Sequence, residues 1–259
     1  MFFFADALDK LERDRYEVIT MLNELQQKII IEAQSLDPSS RVYEHLLHGA
    51  GRRVRVIRRS IENVFSLFPP STAQPLNSDV LDDVQINLHA FLINIYGLYD
   101  NWAWAYVLRH DLKSLISNRH KVGLFNEATQ RHLPDQLRTF LSSPVTIAWH
   151  KSYAKSFRDA LAHRIPPYIP SAELTPEEKC HFNELHAEIL ECTKNLNLER
   201  LEEVLVEQGT LGSPSFTFLH AFTEDEPPRP LLLHPQLLSD GMFIADFGHL
   251  FLQCWHEIA

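Results

Sequence analysis

Residues 81–110 read LDDVQINLHAFLINIYGLYDNWAWAYVLRH, and the fold turns on how this stretch is taken. Phe91, Leu92, Ile95, Leu98, Tyr99, Trp102 and Tyr106 recur at spacings of three and four, the period of a helix with a wide apolar face. From Val84 to Leu108 the only formal charge is Asp100, and about 20 apolar residues are enough to span a bilayer. Gln85, Asn87, His89, Asn94 and Asn101 interrupt the run, however, and each would need a partner in lipid. The stretch is therefore read as the central buried helix of a helical protein, running from Leu81 to His110.

Outward from it the same rules place the remaining elements. Towards the N-terminus, Leu8, Leu11, Val18, Met21, Leu22, Leu25 and Ile29 mark a helix over Ala5–Gln34. Asp37-Pro38-Ser39-Ser40 breaks it, with Ser39 or Ser40 capping a second helix over Arg41–Leu67. That helix is expected to be interrupted or kinked at Gly49-Ala50-Gly51 and to stop at Pro69-Pro70. Residues 111–145 read as short helices broken by Gly123, Pro134 and Pro144. A helix follows from Thr146 to His163 and ends ahead of Pro166-Pro167, because a residue preceding proline avoids the α region.

Thr175-Pro176-Glu177-Glu178 carries a cap, a proline at the first helical position and a glutamate three residues after the cap. The helix it opens extends to Glu207 with a break near Asn195–Asn197. Residues 215–222 and 230–234 flank a charged, proline-rich turn and predict a β-hairpin, and Asp240–His256 closes the chain as a helix. The fold expected is an all-α bundle with a small late hairpin. Residues 1–75 form an N-terminal helical extension, 76–210 the bundle proper, and 211–259 the hairpin and last helix of the same globule.

The 259 residues carry a net charge of −10, with 45% hydrophobic and 22% charged residues, values that exclude a disordered or collagen-like chain. Any contact with a polyanion must come from a local patch. Residues 41–59 offer one: six arginines against Glu44 alone, with Arg52, Arg55 and Arg59 on one helix face suited to phosphate. Residues 173–207 hold ten glutamates against Lys179, Lys194 and Arg200, so the basic helix has an equally good reading as a dock for the acidic one. Cys180, Cys192 and Cys254 form no C-x-x-C, which argues for reduced thiols and a cytoplasmic location. His45 and His48 lack a third ligand and Gly49-Ala50-Gly51 lacks a P-loop lysine, so no metal site and no cofactor are expected.

The segment bearing the most chemistry is Phe157-Arg158-Asp159-Ala160-Leu161-Ala162-His163-Arg164-Ile165-Pro166. Asp159 and His163 are four apart, so the carboxylate is placed to orient the imidazole and favour its protonated form. Arg158 and His163 stand about 140° apart on an ideal helix. A purely structural reading makes them a helix-terminal pair, Arg158 bridging an acid and His163 capping carbonyls. With 16 arginines and 14 histidines, chance supplies about one Arg…His pair for each spacing, and Arg41/His48 and Arg229/His234 occur as well. Context separates them: Arg229 leads into a strand, Arg41 is helical with Glu44 nearby, and only Arg158/His163 has the flanking Phe157 and Arg164-Ile165-Pro166.

This segment resembles the signature of the HEPN superfamily (higher eukaryotes and prokaryotes nucleotide-binding domain): an arginine, a polar residue, and a histidine after a gap of four to six. The match is Arg158, Asp159 and His163, and Tyr96-Gly97-Leu98-Tyr99-Asp100-Asn101 on the central helix also looks family-like. Asp159 stands where asparagine is commoner. The resemblance covers about residues 80–205 and implies a HEPN-type helical bundle that dimerises and apposes two Arg…His motifs. It further implies a metal-independent endoribonuclease in which the RNA 2′-hydroxyl attacks phosphorus, giving a 2′,3′-cyclic phosphate and a 5′-hydroxyl.

In that reading His163 transfers protons, Arg158 neutralises the phosphorane and Asp159 holds the ring. Tyr168, Arg164, Asn101 and Arg55 are candidate substrate contacts, although Tyr168 also reads as packing, and Asn94 and Asn101 also read as hydrogen bonds across a bundle. The implied partners are a second copy, RNA and, for a toxin or defence role, an inhibitory protein; no membrane contact is expected. The alternative is a non-catalytic HEPN-like binding or assembly module.

Overall fold

The central helix is α4 (Ser78–Arg109), opened by Asn77, whose side-chain Oδ1 accepts from Val80 N at 2.9 Å. In the computed structural model, which describes residues 3–116, 118–220 and 229–258, it is the helix around which the others gather. Leu88, Phe91, Leu92, Ile95, Leu98 and Trp102 are all buried. Each polar residue that interrupts its apolar run finds a protein partner. Gln85 Oε1 accepts from Ile169 N at 3.2 Å, Asn87 Oδ1 from Asn63 Nδ2 at 2.8 Å, and the Pro167 carbonyl accepts from His89 Nε2 at 2.7 Å. Asn94 and Asn101 both accept from Arg53. Among the described residues no helix is long and apolar enough to cross a membrane.

Helix α1 (Ala5–Gln34) buries Val18, Leu22, Leu25 and Ile29 against α3 (Arg52–Leu67) and α11 (Leu233–Gln253). The turn between them is held by Asp37, which accepts from Ser39 N at 2.9 Å, and Ser40 caps the short α2 (Arg41–Tyr43). The interruption or kink expected at Gly49-Ala50-Gly51 takes the form of a π-helical stretch, Glu44–Gly51, which runs on into α3. Gly49 lies where this stretch meets α4: a Cβ there would come within 2.5 Å of the Asn101 amide, which would have to shift.

After α4 the chain makes two 3₁₀ turns, Leu112–Ser114 and Arg119–Lys121, then α5 (Glu127–Gln130) and α6 (Asp135–Ser142). The break expected at Pro144 is present between α6 and the next helix, which starts at Pro144 itself, two residues before the expected Thr146. The proline occupies the first position of α7 (Pro144–Trp149), where its missing N–H costs nothing, and Ser143 caps from outside. A second π stretch, His150–Ala154, leads into α8 (Lys155–His163), which packs on α4.

The capping box at Thr175 and Glu178 opens α9 (Pro176–Lys194) as expected, and α10 (Leu198–Gly209) follows the break at Asn195–Asn197. These two acidic helices pack on each other, and Arg200 is engaged within the pair, by Glu188 at 2.8 Å and Glu203 at 2.9 Å. The anticipated docking of the basic helix on the acidic one does not occur: α3 lies against α1, α4 and α11.

Strands β1 (Thr217–His220) and β2 (Arg229–Leu232) pair antiparallel, Thr217 opposite Leu232. The intervening residues 221–228, including the expected turn and Phe222, lie outside the described residues. His234, expected at the end of a strand, belongs to α11. It is fully buried among Phe65, Phe68 and Phe216, donating from Nε2 to the Phe68 carbonyl at 2.6 Å, and burial pushes its pKa down to about 4. One continuous core runs from Leu11 to Trp255 and so joins the N-terminal helices, the central helix and the last helix.

Asp240 on α11 fastens the approach to α8. Its carboxylate accepts from Trp149 Nε1 at 2.7 Å, Tyr153 Oη at 2.6 Å and Gln236 Nε2 at 3.0 Å. Burial nevertheless outweighs these donors and raises its pKa from 3.8 to about 6. The folded state therefore binds the proton more tightly than the unfolded chain. The stability this contributes is full below pH 3.8 and is lost as pH rises through about 6. Asp240→Asn should flatten that part of the stability curve, by up to about 3 kcal/mol between its two limits, in denaturant titrations at pH 4 and pH 7.

Candidate functional site

The buried face of α8 is Phe157 and Ala160, and Phe157 packs on Tyr153 at 4.8 Å and Phe218 at 5.6 Å between ring centroids. This anchorage turns Arg158 towards α4. Its guanidinium lies over the Tyr96 ring, 4.4 Å from the centroid, a cation–π contact. Arg158 Nε stands 3.1 Å from Asp159 Oδ1, with the carboxylate to the side of the N–H, so the contact is an ion pair without a hydrogen bond.

The aromatic contact continues away from Arg158. Tyr96 stacks on His150 at 5.7 Å and 16°, and His150 on Phe125 at 3.6 Å and 12°. Burial, followed by the charges of Lys155, Lys151 and Arg158, pushes the His150 pKa down to about 4, leaving the imidazole neutral at physiological pH.

His163 is exposed at the C-terminal end of α8. The helix is regular from Lys155 to His163, so Arg158 and His163 remain about 140° apart and about 7.5 Å apart along the axis. Asp159 turns to Arg158, and among the described residues no hydrogen bond joins it to His163. The orienting role expected of Asp159 towards the imidazole is therefore replaced by one towards the guanidinium.

The other predicted contacts are scattered. Arg164 is exposed next to His163. Tyr168 is half-exposed, and its backbone bridges Leu219 through N–H to carbonyl bonds of 3.1 and 2.8 Å, a packing role for the main chain. Asn101 is committed inside the bundle, its Oδ1 accepting from Arg53 Nε at 2.7 Å. Arg55, two residues beyond Arg53, is turned about 200° around α3 and faces solvent away from α4. Of the decoys, His234 is the buried residue described above; Glu44 pairs with Arg41, and His48 is exposed against Tyr43.

Sequence reasoning missed Arg53. Besides its bond to Asn101, its Nη1 donates to Asn94 Oδ1 at 2.9 Å, so one guanidinium spans two turns of α4. Gly97 lies beneath it: a Cβ there would come within 2.6 Å of Arg53 Cζ and Nη1. The signal was present as two asparagines seven apart with a glycine between them, three residues from one and four from the other. Asp100 sits between Arg53 and Arg158. Crowding by protein raises its pKa, and the two guanidiniums pull it back.

A cavity of about 390 Å³ opens beside this cluster, with Tyr96, Asp100, His120, Asn126, His150 and Lys155 among its lining. A second, of about 820 Å³, lies between the start of α4 and the α9–α10 pair and is mainly apolar, with Leu81, Phe182, Leu201 and Leu205. Among the described residues no three His, Cys, Asp or Glu side chains are grouped to hold a metal ion.

The dependence of the α3–α4 joint on Arg53 has a signature. Gly97→Ala should lower stability by about 1–2 kcal/mol, because it displaces a charged donor from two asparagines. In an Arg53→Ala background the same change should raise stability by up to about 1 kcal/mol, through helix propensity alone. Thermal or denaturant unfolding of the four-member cycle reads the reversal of sign.

No protein-family model matches this chain, and no curated protein or solved structure is significantly similar to it.

Proposed function

We propose that this chain is a metal-independent endoribonuclease of HEPN type whose site is completed by a second copy. The observation that carries the reading is the exposed His163 at the end of the helix that holds Arg158. In the reaction the RNA 2′-hydroxyl attacks the adjacent phosphorus. His163 moves protons to or from the reacting oxygens, and Arg158 answers the charge that grows on the non-bridging oxygens. Asp159, against Arg158 Nε, holds the guanidinium. The 5′-oxygen leaves with a proton, and a 2′,3′-cyclic phosphate remains.

One copy presents its arginine and histidine on different faces, so a second is needed to bring the partner group to the same phosphate. A surface for it adjoins the motif. His89, bonded to the Pro167 carbonyl, pins the segment after α8 over α4 between Ile86 and Ile93, three residues before and four after it. Ile86 is 63% exposed and Ile165 70%, apolar side chains that a second copy would cover. The half-buried Arg158, held by Tyr96 and Asp159, favours the second reading, in which the same bundle is a non-catalytic binding or assembly module.

Incubation with mixed RNAs in EDTA separates the two. Cleavage is expected, with Arg158→Ala and His163→Ala each lowering the rate by about 100-fold or more, and a 2′-deoxy substitution at the scission site abolishing it. Cleavage that survives both substitutions, or that requires a metal, excludes the nuclease reading. In sedimentation at micromolar concentration the chain should run as a dimer and become monomeric on Ile86→Glu; a monomeric unaltered chain contradicts the composite site.

A further inference from the structure

We infer that the cavity between Tyr96, Asp100, Asn126, His150 and Lys155 is a nucleobase pocket selective for guanine. At about 390 Å³ it is large enough for a purine and lies in the range of small-molecule sites. Tyr96, His150 and Phe125, stacked one on the next, lie along its lining, and Leu124 and Tyr99 add buried apolar surface to it. In the recognition of unpaired bases, hydrogen bonds at their Watson–Crick edges set identity.

The polar groups determine which base. Asp100 brings a carboxylate with no ion pair or hydrogen bond among the described residues, because its two neighbouring guanidiniums are engaged elsewhere: Arg53 with Asn94 and Asn101, Arg158 with Tyr96 and Asp159. Asn126 caps α5 through Oδ1, accepting from Ala128 N at 3.0 Å, which leaves its amide N–H groups as donors. Lys155, also on the lining, is exposed and adds a second donor.

A carboxylate acceptor beside amide and ammonium donors matches guanine. Its N1–H and N2–H lie side by side to meet Asp100, and O6 next to them meets Asn126 or Lys155. Adenine offers one exocyclic donor next to an acceptor, and uracil one N–H between two carbonyls, so each leaves a polar group of the pocket unpaired. Binding of a nucleoside requires neither cleavage nor a second copy, so this inference and the nuclease reading fail independently.

The test is calorimetric titration of the full chain with guanosine, inosine, adenosine, cytidine and uridine, and with inorganic phosphate. Guanosine is expected to bind best, with inosine, which lacks the 2-amino donor, weaker by about 10-fold. Asp100→Asn should remove the preference for guanosine over inosine. The exposed Lys155→Ala should weaken guanosine binding with helical content unchanged by circular dichroism, which guards against a folding defect in the Asp100 variant. Equal affinity for the nucleosides, no saturable guanosine binding, guanosine binding indifferent to both substitutions, or competition by phosphate alone each overturns the pocket.

Discussion

A helix whose only formal charge from Val84 to Leu108 is Asp100 must bury its sides without stranding its amides, and the guanidinium of Arg53 is what reconciles the two demands. Arg53 crosses from α3 over the bare backbone of Gly97 to reach Asn94 and Asn101 at once. Leaving those carboxamides unpaired in the bundle would cost the desolvation of each. Burial of the arginine itself lowers its pKa, and Asp100 on the neighbouring turn offsets that loss. The two helices thus meet through a polar joint set within an apolar core, and everything on the outer side of α4 inherits its position.

From that joint the chemistry-bearing groups follow in order. Asp100 lies between two arginines, each turned to other partners; Arg158 rests across Tyr96; and the rings run on through His150 to Phe125. The neutral state of His150 matters here, since a charged imidazole between Arg158 and Lys155 would push both cations away. On the opposite side of the same segment, Asp240 holds Trp149 and Tyr153 and so sets the direction in which α8 leaves the π stretch. A carboxylate in the core thereby governs the aim of a motif at the surface.

Local rules made several elements legible in advance. The bounds of α1, the capping box at Thr175 and Glu178, the break at Asn195–Asn197 and the late hairpin depend on neighbours a few positions away, and all are found where their residues stand. The break at Pro144 is found as well, but the helix after it starts two residues earlier than expected, because proline is accommodated at the first helical position and Ser143 caps it. The glycines at 49 and 51 signal an interruption or kink, and that it takes the form of a π stretch over Glu44–Gly51 beside α4 is decided only in the folded chain.

The amino-acid order by itself determined a helical chain with one largely apolar central helix, an acidic stretch over residues 173–207 and the Arg158–His163 pair on a helix end. Tertiary structure alone decided that Arg53 rather than Arg55 reaches Asn94 and Asn101 and that Asp100 borders a cavity. The reason is one of range. Helical periodicity and caps are settled within a turn or two, whereas Arg53 meets Asn101 across 48 positions and Trp149 meets Asp240 across 91, contacts that exist only once the helices have packed.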